Sequence, residues 1–157
     1  MAPRKDPEDD RAMTETREPA EQGRFDTRAI ARGFPGTAET MLLDRYLTDA
    51  ESASARVFRV YRRTPPHHHA KSDEHLFVLS GRGTFWMGDP SREEEFGPGC
   101  LLVFPRGTVH ALPAILEEPL VFLAIDAPRR DPGDVIFENP AEATPQDFIR
   151  KVSGAGY

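Results

Sequence analysis

The feature that most constrains this chain is a series of short apolar segments, each followed closely by turn-forming residues. Fifteen prolines and twelve glycines in 157 residues provide many such turns, and no long 3.6-residue periodicity interrupts the series. This spacing predicts an all-β chain folded as an antiparallel sandwich or barrel, and argues against a doubly wound α/β sheet. The predicted strands are 40–47, 55–61, 76–79, 84–87, 100–104, 109–112 and 120–125.

The segment 55–61 shows the clearest strand pattern. Its residues alternate, with Phe58 and Val60 on one face and Val57 and Tyr61 on the other. The following Thr64-Pro65-Pro66 is predicted to be a strand end.

The ends of the chain differ from its middle. Residues 1–24 are almost wholly polar, with seven acidic and five basic side chains, and are predicted to form a disordered tail because they bury too little apolar surface. Residues 25–157 are long enough for one domain and too short for two, so they are predicted to form a single domain.

A short helix is predicted near the C-terminus. Thr144 can cap it, Pro145 suits its first position, and Asp147 complements the helix dipole. Phe148 would pack the helix against the domain, and Gly154 could end it.

Composition excludes several classes of protein. A net charge of −6 argues against a nucleic-acid binder, and the pairs Arg62-Arg63 and Arg129-Arg130 are interpreted as solvated strand ends. No run approaches the length of a membrane helix, and the first twenty residues lack the apolar region of a secretory signal, so a cytoplasmic location is expected. The single cysteine, Cys100, excludes an intramolecular disulfide and a thiolate-rich zinc site, and is predicted to be a small buried core residue.

The histidines are concentrated in one short stretch. Four of the five, His67, His68, His69 and His75, lie within nine residues. Alternate side chains of an extended segment point to opposite faces, so His67 and His69 are predicted to point the same way and His68 the other. Glu74 opens the next strand and is predicted to converge with them, whereas His75 faces away.

The fifth histidine, His110, is the natural partner of this group. It follows a rigid turn that contains Pro105 and Gly107, which would fix its position. Imidazoles and a carboxylate suit Fe(II), Mn(II), Ni(II), Cu(II) or Zn(II), and four polar groups on inward faces would be costly to bury unpaired. We therefore predict a site for one divalent transition metal, with the ligands His67, His69, Glu74 and His110.

The residues around these histidines resemble the two motifs of the cupin superfamily. The stretch His67-x-His69-x4-Glu74-x6-Gly81 resembles the first motif, and Gly99-x5-Pro105-x-Gly107-x2-His110 resembles the second, after an interval of seventeen residues. The resemblance implies a small single-domain cupin with a double-stranded β-helix (jelly-roll) barrel. It also implies that the residues matching His67, His69, Glu74 and His110 bind the metal, and it favours a homodimer, since such domains often dimerise.

Two positions depart from the family pattern. Tyr61 stands where the first motif usually begins with glycine, and Ala114 stands where the second usually ends with asparagine. Neither position is a usual ligand, so the departures concern the outer part of the pocket and leave the predicted ligand set unchanged.

The fold alone does not give the activity, because the family includes dioxygenases, isomerases, epimerases, decarboxylases and non-enzymatic binding proteins. Four protein ligands leave open positions on a six-coordinate ion, which favours an Fe- or Mn-dependent, dioxygenase-like oxidoreductase on a small organic substrate, with iron the favoured metal. The alternatives are a metal-dependent isomerase or lyase and a non-catalytic small-molecule-binding protein. An isomerase or lyase would need a general base, for which His75, Tyr46 and Tyr61 are the candidates; no motif marks any residue as catalytic.

Overall fold

The computed structural model describes residues 23–151 and is dominated by β-strands. Most of the predicted tail 1–24, and Gly154 at the predicted helix end, lie outside the described residues. The elements are α1 (Thr27–Arg32), β1 (Leu42–Asp49), β2 (Ser54–Val60), β3 (Thr64–His68), β4 (Asp73–Met87), β5 (Glu94–Phe96), β6 (Leu101–Phe104), β7 (His110–Leu112), β8 (Ile115–Ala127), β9 (Ile136–Phe137), α2 (Pro145–Phe148) and β10 (Ile149–Lys151).

The strands pair in the order β10-β1-β2-β8-β4-β7-β3-β9, and β5 and β6 also pair with β4. The two long strands β4 and β8 pair antiparallel over most of their length, and register shifts interrupt this pairing around Ser80 and Arg82. Such irregularities bend a strand and increase its twist, so the sheet curls around one interior. The all-β barrel predicted from the sequence is confirmed.

Gly81 lies at this bend and is required there for two reasons. Its φ of 81° is in the left-handed region, which favours glycine. A Cβ at this position would also lie 2.5 Å from the carbonyl oxygen of Pro119 and 2.7 Å from that of Glu117 on β8. The glycine therefore allows β4 and β8 to approach closely where the barrel turns.

Strand β2 separates two apolar clusters, as its alternation predicts. Phe58 and Val60 belong to the larger cluster inside the barrel. Val57 belongs to a smaller cluster on the outer face, where it is grouped with Ile30 and Phe34 from α1 and the residues that follow it. Full burial of each such side chain contributes about 1.5–3 kcal/mol.

Helix α1 was not predicted, because six residues are too few to show a helical period. Its N-cap is Asp26, whose carboxylate accepts a hydrogen bond from the backbone N–H of Ala29. No helix in the described part of the chain is long and apolar enough to cross a bilayer.

Helix α2 confirms the short C-terminal helix. The Thr144 hydroxyl accepts from the Asp147 N–H, and the Asp147 carboxylate accepts from the Thr144 N–H at 3.0 Å, which forms a complete capping box. The helix ends at Phe148 because Ile149 begins β10, where it lies opposite Leu42 of β1 in a parallel pair.

The structure adds one strand and corrects one local prediction. Strand β2 ends at Val60, before Thr64-Pro65-Pro66, but this segment also begins β3, where the register against β7 is irregular between Thr64 and His67, which accommodates residues without an N–H. The prediction for the cysteine was wrong. Cys100 is exposed, because it occupies the turn before β6, where its N–H donates to the carbonyl of Gly97.

Candidate metal centre

Three histidines from neighbouring elements meet inside the barrel. His67 on β3 lies directly opposite His110 on β7, and His69 follows β3 immediately. All three side chains are buried. One nitrogen from each ring lies within 4.8 Å of the corresponding nitrogens of the other two rings. His68 lies on the other face of β3, half-buried, with Nδ1 3.5 Å from Glu138 Oε1.

Backbone carbonyls fix the orientation of the three imidazoles. A carbonyl oxygen can only accept, so each neutral ring carries its proton on Nδ1 and its lone pair on Nε2. The Nδ1–H groups donate from His67 to Pro65 O at 2.7 Å, from His69 to Asp134 O at 2.7 Å and from His110 to Thr108 O at 2.9 Å. Metal-bound histidines typically donate the other ring N–H to a carbonyl or carboxylate in this way, and Nε2 of His110 is buried without a hydrogen-bond partner.

The protonation state also suits a metal. Burial lowers the pKa of His67 well below its ordinary value, and the neighbouring His110 and His69 act in the same direction. Burial likewise lowers the pKa of His69. Because the neutral imidazole is the form that binds metals, the residues present fit a divalent transition metal.

Glu74 stands beside the three histidines on β4. Its Oε2 lies 3.5 Å from His69 Nε2, and its Oε1 lies 3.7 Å from His110 Nε2. Oε2 also accepts from Arg56 at 3.2 Å and from Arg130 at 3.1 Å, so Oε1 is the oxygen that faces His110. Although burial disfavours its charged form, His69, His110 and Arg130 hold the pKa of this carboxyl well below its usual range.

A buried ion-pair network surrounds Glu74, and the sequence reasoning missed it. Arg56 donates to Asp126 at 3.0 Å, to Asp44 at 3.4 Å and to Glu74. The alternation of side chains along β2 could have revealed it, because Arg56 shares the inward face of this strand with Phe58 and Val60. The interpretation of Arg129-Arg130 as a solvated strand end was wrong for Arg130, which is only 2% exposed.

Arg130 packs beside the ring of His69. Its Nη1 lies 3.0 Å from Nε2 and 3.3 Å from Nδ1 of this ring. Since these distances are nearly equal, Nη1 lies against the face or the Cε1 edge of the imidazole, away from the axis of the Nε2 lone pair. The guanidinium therefore does not occupy the direction in which the Nε2 lone pair of His69 points.

A cavity of about 20 Å³ adjoins the centre, which is room for roughly one water. Phe104 forms one wall and stacks on His110, with ring centroids 4.0 Å apart and planes 5° apart. Phe148 of α2 forms another and lies 4.9 Å from the His67 ring. The remaining apolar walls are Leu42, Phe58, Leu76 and Leu112.

The three candidate bases are placed differently. The hydroxyl of Tyr61 donates to the carbonyl of Pro35 outside the barrel. His75 is half-buried and lies between Glu74 and Leu76, whose side chains are buried. Tyr46 lines a second cavity of about 120 Å³ together with Asp44. None of the three lines the cavity beside the histidines.

Comparison with known proteins agrees with this architecture. The family model described as "Cupin domain" matches residues 58–126. KdgF from Halomonas sp. is 22% identical over 58% of this chain and 82% of its own, with a TM-score of 0.52. A conserved protein with a double-stranded β-helix domain from Klebsiella pneumoniae is 18% identical over 70% of this chain and 93% of its own, with a TM-score of 0.55.

TT1209 from Thermus thermophilus is 20% identical over 64% of this chain and 95% of its own, with a TM-score of 0.55. At these identities the likeness establishes the fold. No curated protein matches the chain.

Proposed function

Because this chain belongs to the cupin superfamily, we propose that it binds one divalent transition metal through His67, His69 and His110, with Glu74 as the fourth ligand. One observation carries this proposal: three buried imidazoles have their Nδ1 atoms bound to backbone carbonyls, which leaves three Nε2 lone pairs for one ion. The orphaned Nε2 of His110 supports it, since an unpaired buried polar atom is costly unless a ligand completes it.

We further propose a dioxygenase-like oxidoreductase that acts on a small organic substrate. A bound metal of this type supplies Lewis-acid and electron-transfer chemistry. Among the described residues that line the cavity, the only groups able to take a proton are the proposed ligands themselves. Glu74 is further restrained by two arginines. A reaction that depends on a separate protein base is therefore less well supported than one in which the metal and an oxidant provide the chemistry.

The residues of the chain would prepare this centre in three ways. The carbonyls of Pro65, Asp134 and Thr108 hold the imidazoles in one tautomer. Arg56 and Arg130 keep Glu74 ionised and oriented. The aromatic walls screen the cavity from bulk water, which strengthens electrostatic interactions inside it. Iron is the metal we favour, with manganese, nickel, copper and zinc as the alternatives.

A metal-dependent isomerase or lyase is the second candidate. The observation that favours it is the position of Tyr46, which lines the neighbouring cavity beside Asp44. Asp44 in turn pairs with Arg56 at the metal centre. A non-catalytic metal protein that binds a small molecule is the third candidate, and it requires only the cavity.

Metal analysis combined with an oxygen-uptake assay separates these candidates. The protein would be loaded anaerobically with Fe(II), desalted, analysed for metal and then mixed with oxygen and a panel of small organic substrates. Near-stoichiometric iron with substrate-dependent oxygen uptake is the expected result. Bound metal without oxygen uptake would favour the second or third candidate, and no retained metal under any loading condition would refute the centre.

Three further predictions accompany the proposal. We infer a homodimer, which light scattering coupled to size-exclusion chromatography would test. We also infer a cytoplasmic location and a single domain over residues 25–157.

A further inference from the structure

Arg130 forms a buried, charged part of the cavity wall beside the metal centre. It lies just beyond β8, in the segment that leads to β9, and is 2% exposed. Its side chain lines the same cavity as His67, His110 and Glu74. A buried guanidinium needs acceptors for its five N–H donors, since unpaired charged groups are costly to bury.

The hydrogen-bonding capacity of Arg130 is only partly used by protein acceptors. Nη1 donates to Glu74 Oε2 at 3.1 Å and lies beside the His69 ring. Nε is buried and has no hydrogen-bond partner. An additional acceptor at this guanidinium would therefore satisfy a donor that is already desolvated.

The charges around the centre favour an anionic acceptor. One continuous set of ion pairs links five buried groups with a net charge of −1: Arg56, Arg130, Asp44, Glu74 and Asp126. Asp134 lies outside this set, because its carboxylate accepts from the backbone N–H groups of Ala70 and Lys71. A divalent metal would raise the charge of the set to +1, and one monoanionic ligand would restore neutrality in a site that excludes water.

We propose that the ligand of this site is a small carboxylic acid, whose carboxylate is recognised by Arg130 beside the metal. This inference rests on the metal centre proposed above and names its substrate class. A guanidinium matches a carboxylate geometrically and electrostatically. The cavity has only about 20 Å³ of free space, so the acid must be small, with a short apolar remainder against the aromatic and aliphatic walls.

The test uses the full-length protein loaded with Co(II), whose visible absorption spectrum reports on the metal's surroundings without requiring turnover. Acetate is the probe, and acetamide is its uncharged counterpart of similar shape. Wild type is compared with Arg130→Met and with the control Arg129→Met. Arg129 is the neighbouring arginine, and it pairs with Asp49, which is outside the network, through Nη2–Oδ2 at 2.9 Å.

We expect acetate, and not acetamide, to change the Co(II) spectrum of wild type. With each protein saturated with Co(II), we expect Arg130→Met to weaken acetate binding at least tenfold and Arg129→Met to leave acetate binding unchanged. Equal responses to acetate and acetamide in wild type would overturn the inference even if Arg130→Met failed to fold. Undiminished acetate binding by Arg130→Met would overturn it as well.

The two proposals fail in distinguishable ways. If wild type retains Co(II) but its spectrum does not respond to acetate, the metal centre stands and the carboxylate inference is refuted. If wild type does not bind Co(II), the metal centre is refuted and the inference falls with it.

Discussion

His67 and His110 lie directly opposite each other on β3 and β7, with ring centroids 4.4 Å apart. This register brings together residues that are distant in sequence. Since each Nδ1 is held by a backbone carbonyl two residues earlier, the strands set both the position and the tautomer of the rings.

Replacing either histidine should remove the metal selectively. We expect His67→Ala and His110→Ala each to lower the apparent metal affinity by more than about 100-fold, since even outer-shell changes cost 10–100-fold. Equilibrium dialysis with metal analysis measures this. His68→Ala is the matched control, because His68 lies on the opposite face of β3; an equal loss in that variant would contradict the assignment.

Period-2 alternation was enough to predict that His67 and His69 point inward and His68 outward. It also placed Phe58 and Val60 inside the barrel. The same rule, applied to a charged residue, would have identified Arg56 as an inward group. Arg130 and Asp134 could not be found in this way, because they lie between β8 and β9, where no regular period relates sequence to direction.

Comparing alanine substitutions at Gly81 and Gly88 separates two energetic costs of adding a Cβ, which are backbone strain and steric collision. Both have positive φ, 81° and 75°, so alanine at either position costs about 1–2 kcal/mol of backbone strain. A Cβ at Gly81 would also collide with β8, whereas at Gly88 no atom lies within 4 Å. In chemical denaturation, we expect Gly81→Ala to lower the free energy of unfolding clearly more than Gly88→Ala. Equal losses would show that the approach to β8 does not constrain the bend.

The capping box of α2 should make a small, acid-sensitive contribution to stability. Hydrogen bonds from the Thr144 hydroxyl and N–H lower the pKa of Asp147 below 3.8. The contribution of Asp147 is therefore present above its unfolded pKa and is lost as the pH falls through the folded pKa.

Thr144→Ala should raise the pKa of Asp147 towards 3.8, which an NMR titration of the side-chain carboxyl would detect. Asp89 provides an internal reference, because its own pKa is lowered by Ser91 at a distant turn. An unchanged Asp147 titration in the variant would contradict the role of the hydroxyl.

Arg56 should be essential to the stability of the barrel, whether or not metal is bound. Arg56→Met would leave Asp44, Glu74 and Asp126 without their shared counter-ion in the interior. Loss of one partner of a buried ion pair costs about 3–5 kcal/mol. Arg59→Met is the matched control on the same strand, since Arg59 donates to the Pro35 carbonyl outside the barrel and its loss should cost about 1 kcal/mol. Urea denaturation of the metal-free proteins gives both values, and similar losses for the two variants would show that the buried network contributes no more than a surface hydrogen bond.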